Sequence, residues 1–478
     1  ELLKLYIDEL RLERKIVLEN NKFYLKKIFD DEQNIVDSIS QLVNKDIEKN
    51  KNIDKYIKMS EEENEISYNQ KQKEAIKKAL ENNILIITGG PGTGKTTIIE
   101  TIVEIYKEIK DLTYDDLIDK IALLAPTGRA SKRMSEATNL PATTIHRFLK
   151  WNKENNEFMV NETNKDFSEL VIIDEVSMID INLFSSLFKG ITTNAKLILV
   201  GDYNQLPSVG AGNILKDLID CQKIDTIYLD LLYRQDENSY INNLAHDIKN
   251  GNLSEEFLKT KNDYAFLNCS SDSILETLKT TCQRLVEKDI DQKRIQLMAP
   301  MYAGINGIDN LNKELQKIFN PEDHNKNEIR YGDIVFREND KILQLVNMPD
   351  DNVFNGDVGY IKYIIKAANS KSKKNEIYVD YDGNVVKYLP KDFNKIKHGF
   401  IISIHKSQGS EFDLVIIPIC MSYYRMLYRK LIYTAITRAK KKLIIIGEAN
   451  AFKYSVDNNN EYIRKTNLCE KLKNMYND

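Results

Sequence analysis

The chain has 478 residues, 42% of them hydrophobic, and a formal net charge of −4, a composition that suits ordinary buried cores and excludes a disordered chain. No apolar run reaches the length of a membrane span, and without a global basic field any nucleic acid must be met by a local groove. Five scattered cysteines with no C-x-x-C pair argue for reduced thiols and against a zinc or iron–sulfur site.

Residues 1–65 are strongly charged, with apolar residues at helical spacing through Ile35, Val36, Ile39, Leu42 and Val43. The run Glu61-Glu62-Glu63-Asn64-Glu65 reads as a solvated acidic linker. From residue 66 the rhythm changes to strand, loop and helix. Short continuous apolar runs at 84–88, 121–125, 170–174, 197–200 and 226–229 alternate with helical stretches, the signature of a parallel sheet covered on both faces. Between the second and third of these, 148–167 runs apolar, polar, apolar, which predicts a protruding β-hairpin with Glu154-Asn155-Asn156 near its tip and Trp151 anchoring its base. A second set of runs, 295–299, 400–404, 414–418 and 443–446, predicts a second parallel-sheet domain. Within it, 331–389 is rich in Gly, Asp, Asn and β-branched residues, with turn signals at Gly332-Asp333, Asn355-Gly356-Asp357 and Asp382-Gly383-Asn384. This predicts a small antiparallel barrel inserted in the second domain, with Lys371 to Lys374 at a hairpin tip. The expected division is a helical segment 1–65, a first α/β domain 66–232, a second domain 233–325 and 396–478, and the barrel at 326–395.

Gly89-Gly90-Pro91-Gly92-Thr93-Gly94-Lys95-Thr96 matches G-x-x-x-x-G-K-[ST] and lies between an apolar strand and a helix. The glycines let backbone N–H groups turn toward phosphate oxygens, and the helix N-terminus adds partial positive charge. Lys95 can reach the β- and γ-phosphates of ATP, Thr96 can hold Mg²⁺, and Thr97 follows in the same pocket. The apolar run 170–173 ends in Asp174-Glu175. Such a pair is weak evidence alone and strong behind a P-loop: Asp174 would bind Mg²⁺ and Glu175 would polarise the attacking water. Gln72, just before the first strand, has an amide suited to adenine. Gln205, after the run 197–200, can reach the γ-phosphate. Arg234 and Arg438 lie far along the chain, where guanidinium groups meeting the γ-phosphate on closure would couple hydrolysis to motion.

The chain also carries, in order, Ala125-Pro126-Thr127-Gly128-Arg129-Ala130-Ser131-Lys132-Arg133-Met134, Thr144-Ile145-His146-Arg147 and Ile404-His405-Lys406-Ser407-Gln408-Gly409-Ser410-Glu411-Phe412. Together with the motifs above, these resemble superfamily 1B DNA helicases, in particular the RecD-like family of the stand-alone type. The resemblance runs almost continuously over 66–450. It implies two RecA-like P-loop NTPase domains with an SH3-like barrel in the second, ATP and Mg²⁺ as cofactors, and 5′ to 3′ movement on single-stranded DNA with duplex unwinding. It further implies a cytoplasmic setting in DNA repair or recombination, with single strands and duplex junctions as partners. By the same resemblance, Pro126, Thr127, Gly128, Arg129, Thr144, His146, His405, Lys406, Ser407 and Gln408 would line a single-strand channel, and the hairpin at 148–167 would be the strand-separating pin. Hydroxyl, imidazole and basic groups suit phosphates whatever the base sequence.

Val176 and Asn204 depart from the family's usual wording without touching the chemistry. The larger departure is at the front, where stand-alone members usually carry helix-hairpin-helix modules. With a start at Glu1, the expectation is an N-terminally truncated protein whose missing modules reach other repair proteins. Two alternatives stand beside the helicase: an ATPase subunit of a helicase–nuclease complex, and the motor half of a conjugative relaxase. The second lacks its tyrosine-and-histidine nuclease cluster here.

Overall fold

A computed structural model describes residues 2–19, 21–46, 52–152, 154–230, 239–459 and 464–475. The chain forms two compact units, one of residues 1–126, 130–234 and 462–478, the other of 127–129 and 235–461.

The first unit is built on a six-stranded parallel sheet. Its spatial order is Thr226–Leu229, Ile84–Gly89, Lys196–Gly201, Leu170–Ile173, Ile121–Ala125 and Ala142–Thr144. Continuous apolar runs suit the inner strands, which are covered on both faces, whereas edge strand Thr226–Leu229 leaves Tyr228 exposed. Ile84 and Ile86 join one core while Leu85 and Ile87, pointing the opposite way, join the other. Helix Lys95–Lys110 feeds the second core through Ile98 and Ile102.

The other face is covered by helices Lys26–Val43 and Ile181–Gly190. Ile35, Val36, Ile39 and Leu42 are buried there with Ile84, Ile86, Phe184 and Leu187. Residues 1–65 are therefore part of the first unit rather than a separate segment: the apolar stripe needs that sheet face to bury against. They also contain an antiparallel hairpin, Ile16–Glu19 with Lys22–Leu25, that the helical spacing did not suggest. The acidic run is not a free linker either. It overlaps the end of helix Ile53–Glu63, where Glu61 accepts from Tyr68 N at 2.8 Å and pairs with Lys73 at 2.9 Å. A further correction falls at the C-terminus. Helix Leu468–Asn474 packs on Lys26–Val43 and Ile214–Asp220, so 464–475 belong to the first unit and not to the second. Leu468 and Leu472 are fully buried in its core.

The second unit carries a five-stranded parallel sheet, Tyr264–Asn268, Ala439–Gly447, Phe412–Ile419, Ile295–Ala299 and Ile401–Ser403 in spatial order. The edge strand Tyr264–Asn268 was not anticipated. After helix Ile308–Phe319 the chain leaves this sheet. It forms the hairpin Glu328–Tyr331 with Ile334–Arg337, then five antiparallel strands ordered Asn384–Tyr388, Glu376–Tyr381, Val358–Ile365, Lys341–Gln344 and Ile396–His398. These enclose a core of their own around Phe336, Ile342, Ile361, Val379 and Phe393. Lys371 to Lys374 lie in the connection between Val358–Ile365 and Glu376–Tyr381, as read from the sequence.

Two buried ionisable side chains tie this insertion to the sheet domain. Asp340 accepts from Gln316 Nε2 at 2.7 Å, Asn320 Nδ2 at 2.8 Å and Arg337 N at 2.7 Å. Lys341 Nζ donates to Ile295 O at 2.7 Å. Among the described residues no helix is long and apolar enough to cross a membrane.

Candidate active site

The order of the first sheet brings the motifs to one edge. Strand Ile84–Gly89 lies beside Lys196–Gly201, which lies beside Leu170–Ile173, all parallel. The segments that follow them, Gly90–Gly94, Asp202–Gln205 and Asp174–Glu175, therefore leave the sheet at the same end, where α/β folds place their ligands.

The phosphate loop depends on its glycines. Gly92 and Gly94 have φ of 76° and 84°, a conformation that strains other residues. A Cβ on Gly94 would also lie 2.4 Å from Gln72 Nε2. Gln72 is buried and its amide is engaged at both ends. Oε1 accepts from Asn69 N at 3.1 Å in a capping box, and Nε2 donates to Thr93 O at 3.3 Å. The amide expected to read adenine thus braces the phosphate loop. Lys95 Nζ donates to Gly89 O and Gly90 O, each at 2.8 Å, so its cation lies over the loop. Thr96 is exposed at the start of the helix, and Thr97 follows half-buried.

Asp174 Oδ1 accepts from Glu175 N at 2.8 Å. Burial first, then the neighbouring charge of Glu175, pushes the Asp174 carboxyl up to about 6, against the opposing pull of Lys95 and Arg133. Glu175 is buried with φ of 54°, the strained left-handed region where functional side chains are often held. Its Oε1 lies 3.4 Å from Arg133 Nη2. Arg133 was quoted in the motif without a role. The available signal was its place one turn after Arg129 in helix Gly128–Thr138. Asp202 is fully buried and accepts from Gln205 Nε2 at 3.2 Å and from Asn204 N at 3.0 Å. Gln205 Oε1 is buried and has no hydrogen-bond partner among the described residues.

The two distant arginines separate. Arg234 lies outside the described residues. Arg438 is buried in the second unit, where its guanidinium donates to Thr434 O and Ser410 O at 3.1 Å and to Thr437 Oγ1 at 3.2 Å.

The residues chosen for single-strand contact fall into several settings. Pro126 ends strand Ile121–Ala125. Thr127, Gly128 and Arg129 group with the second unit, where Arg129 Nη1 donates to Ser410 Oγ at 2.9 Å. Thr144 caps the short helix Ile145–Phe148, its Oγ1 accepting from Arg147 N at 3.3 Å. Burial lowers the pKa values of His146, against the opposing charge of Asp180, and of His405, which favours the neutral imidazole at both. Lys406, its pKa also lowered by burial, bonds the Asn355 side chain. Ser407 is fully buried and its Oγ donates to Ile404 O at 2.7 Å, so its hydroxyl shapes the turn. Gln408 is buried beside it.

The hairpin is present but shorter than 148–167. Among the described residues Trp151–Asn152 pair with Glu157–Phe158, Met159 N and Val160 N donate to Lys150 O at 3.2 Å and Leu149 O at 3.1 Å, and Asn156 has φ of 52° in the turn. Leu149 and Val160 are instead drawn into the first unit's core. Trp151 is 41% exposed and packs edge-on against Phe158, ring centroids 4.8 Å apart.

Three family models match: an AAA domain at 72–211, the SH3 domain of ATP-dependent RecD-like DNA helicases at 311–381, and a UvrD-like helicase C-terminal domain at 398–446. The ATP-dependent RecD2 DNA helicase of Deinococcus radiodurans is 31% identical over 392 residues, 82% of this chain and 50% of its own length. The RecBCD enzyme subunit RecD of Buchnera aphidicola subsp. Acyrthosiphon pisum is 28% identical, covering 94% of this chain and 83% of its own. Among solved structures, the Pif1 helicase from Candida albicans is 17% identical with a TM-score of 0.48, covering 86% of this chain and 100% of its own. The chain thus spans half the length of the Deinococcus relative.

Proposed function

We propose that the chain is a RecD-like DNA helicase, an ATP-dependent motor that moves 5′ to 3′ along single-stranded DNA and opens the duplex ahead of it, in repair or recombination. The observation that carries this reading is the meeting of Lys95, Asp174–Glu175 and Gln205 at one sheet edge, in a chain that also matches the RecD-like SH3 domain. The direction rests on the family.

The residues suit ATP and Mg²⁺. The glycine conformations leave backbone N–H groups free to face phosphate, and Lys95 adds a cation over the same loop. Thr96 offers an exposed hydroxyl, and Asp174 a carboxyl whose raised pKa a divalent cation would bring back down. Bound there, Mg²⁺ would neutralise charge on the transferred phosphoryl group. Glu175 orients the attacking water and takes its proton. Gln205, steadied by Asp202, places its free amide oxygen at the nucleotide. Arg438 and Arg234 add positive charge as the γ-phosphate departs, a contribution of about 10³–10⁵ in rate for such arginines. The neutral imidazoles of His146 and His405 hydrogen-bond a DNA backbone without adding charge.

The purified chain should hydrolyse ATP faster with single-stranded DNA and open a duplex with a 5′ tail while leaving a 3′-tailed one closed. The reverse preference would contradict the reading. A second reading, an ATPase subunit of a helicase–nuclease complex, is favoured by the coverage of the Buchnera RecD subunit. DNA-stimulated hydrolysis with no unwinding by the single chain would select it.

A further inference from the structure

The loop after Gln205, residues 206–213, is held from two sides within the first unit. On one side Ile181 N donates to Ala211 O at 2.9 Å. Gly210 lies so close to Asp180 that a Cβ there would meet Oδ2 at 2.3 Å. On the other side stands Arg464. Its guanidinium donates to the carbonyls of Ser208 and Gly210, to Gly212 O at 2.6 Å and to Ser208 Oγ at 3.2 Å. Three backbone carbonyls and a hydroxyl on one side chain use the rigid fork that only arginine offers. Between the two anchors Val209 is 85% exposed, while Gln205 at the head of the loop is buried. Asp180 faces His146 electrostatically as well. The loop thus joins the nucleotide end of the site to a residue read as contacting DNA.

Arg464 also has a particular place in the chain. It lies near the start of the segment, 462–478, with which the chain rejoins the first unit. We infer that Arg464 is a positioning residue for the hydrolysis proposed above. It fixes the loop so that the Gln205 amide faces the nucleotide, and it fastens the returning segment to that loop. The inference rests on reading the first unit as an ATP motor.

The test combines Arg464→Ala and Arg464→Lys with Gln205→Ala. Arg464→Ala should lower DNA-stimulated kcat by about 10–10²-fold, the scale of a misplaced group acting at a distance. KM for ATP and the Kd of a fluorescent ATP analogue should hold. Arg464→Lys should not restore the rate, because one ammonium cannot span the carbonyls, whereas millimolar guanidinium added to Arg464→Ala should restore part of it. In the Gln205→Ala background, Arg464→Ala should cost nothing further. An equal fold-loss in both backgrounds would overturn the inference, as would an unchanged kcat. Amide hydrogen exchange over 206–213 reads the anchor without turnover and should quicken in Arg464→Ala. Unchanged exchange overturns the inference even if the wild-type chain hydrolyses no ATP, a result that would count against the motor reading instead.

Discussion

Arg133 Nη2 stands 3.4 Å from Oε1 of Glu175, so the side chain read as the base of hydrolysis is ion-paired to a helix that begins at Gly128. That helix starts within the motif expected to meet DNA. A pull on its first turn would move Arg133 relative to Glu175, which gives DNA a route to the base. Arg133→Ala should therefore reduce the stimulation of ATP hydrolysis by single-stranded DNA by about tenfold, with nucleotide affinity kept. Glu175→Gln should abolish turnover in both states and still bind nucleotide. Stimulation ratios measured side by side decide this: an Arg133→Ala ratio equal to the wild type would remove the link.

The second prediction concerns pH. Asp174 is raised to about 6, mainly by burial. Between the ordinary carboxylate range and that value the folded chain holds a proton the unfolded chain has lost. The stability this proton brings is present at low pH and is lost as pH rises through about 6. Asp174→Asn keeps the site neutral, so at pH 7.5 without Mg²⁺ it should be more stable by about 1–3 kcal/mol while hydrolysing no ATP. Wild-type turnover at limiting Mg²⁺ should fall as pH drops through about 6, and saturating Mg²⁺ should move that fall to lower pH. Denaturation at pH 5 and 7.5 checks the sign; an Asp174→Asn variant less stable than wild type at pH 7.5 would refute it.

Lys341 supplies the opposite sign. Burial first, and then the charge of Arg129, lowers its ammonium to about 7. From there up to the ordinary lysine range the unfolded chain binds the extra proton, so stability rises with pH across that window. Lys341→Met removes the cost of burying a charge and loses the bond to Ile295 O. The net gain should be about 1–3 kcal/mol below pH 7 and should shrink toward pH 10. A gain that grows with pH would show that the lysine is not the group responsible.

The hairpin is the last. Its short strands pair an exposed Trp151 with Phe158, which is itself packed against the first unit's core. Replacing residues 152–157 with a short Gly-Ser turn leaves the buried Leu149 and Val160 in place. DNA-stimulated hydrolysis should stay within about twofold of wild type, because nothing in the nucleotide site is touched. Unwinding of a 5′-tailed duplex should be lost. Unwinding at the normal rate would place the wedge elsewhere.

The sequence by itself determined the local patterns. A short continuous apolar run bounded by turn residues is a strand wherever it lies, so 121–125, 226–229 and 295–299 are legible to the residue. The phosphate loop was legible for the same reason: its glycines answer a backbone demand within eight residues, and 170–173 ends in its two carboxylates through strand length alone. Only the tertiary structure decided what depends on distant partners. The stripe at Ile35–Leu42 does not state which sheet face will cover it. Nothing near Leu468 says that it returns to the first unit. Arg133 and Arg464 are ordinary charges in the sequence; they matter because helix Gly128–Thr138 lies beside Glu175 and because three carbonyls of 208–212 point one way. Ser407 shows the same dependence: in the structure its hydroxyl donates to Ile404 O within its own turn, a local bond the motif does not announce. Periodicity is set by neighbours along the chain, whereas the partner of a buried apolar face or of a guanidinium fork is set by packing among segments hundreds of residues apart.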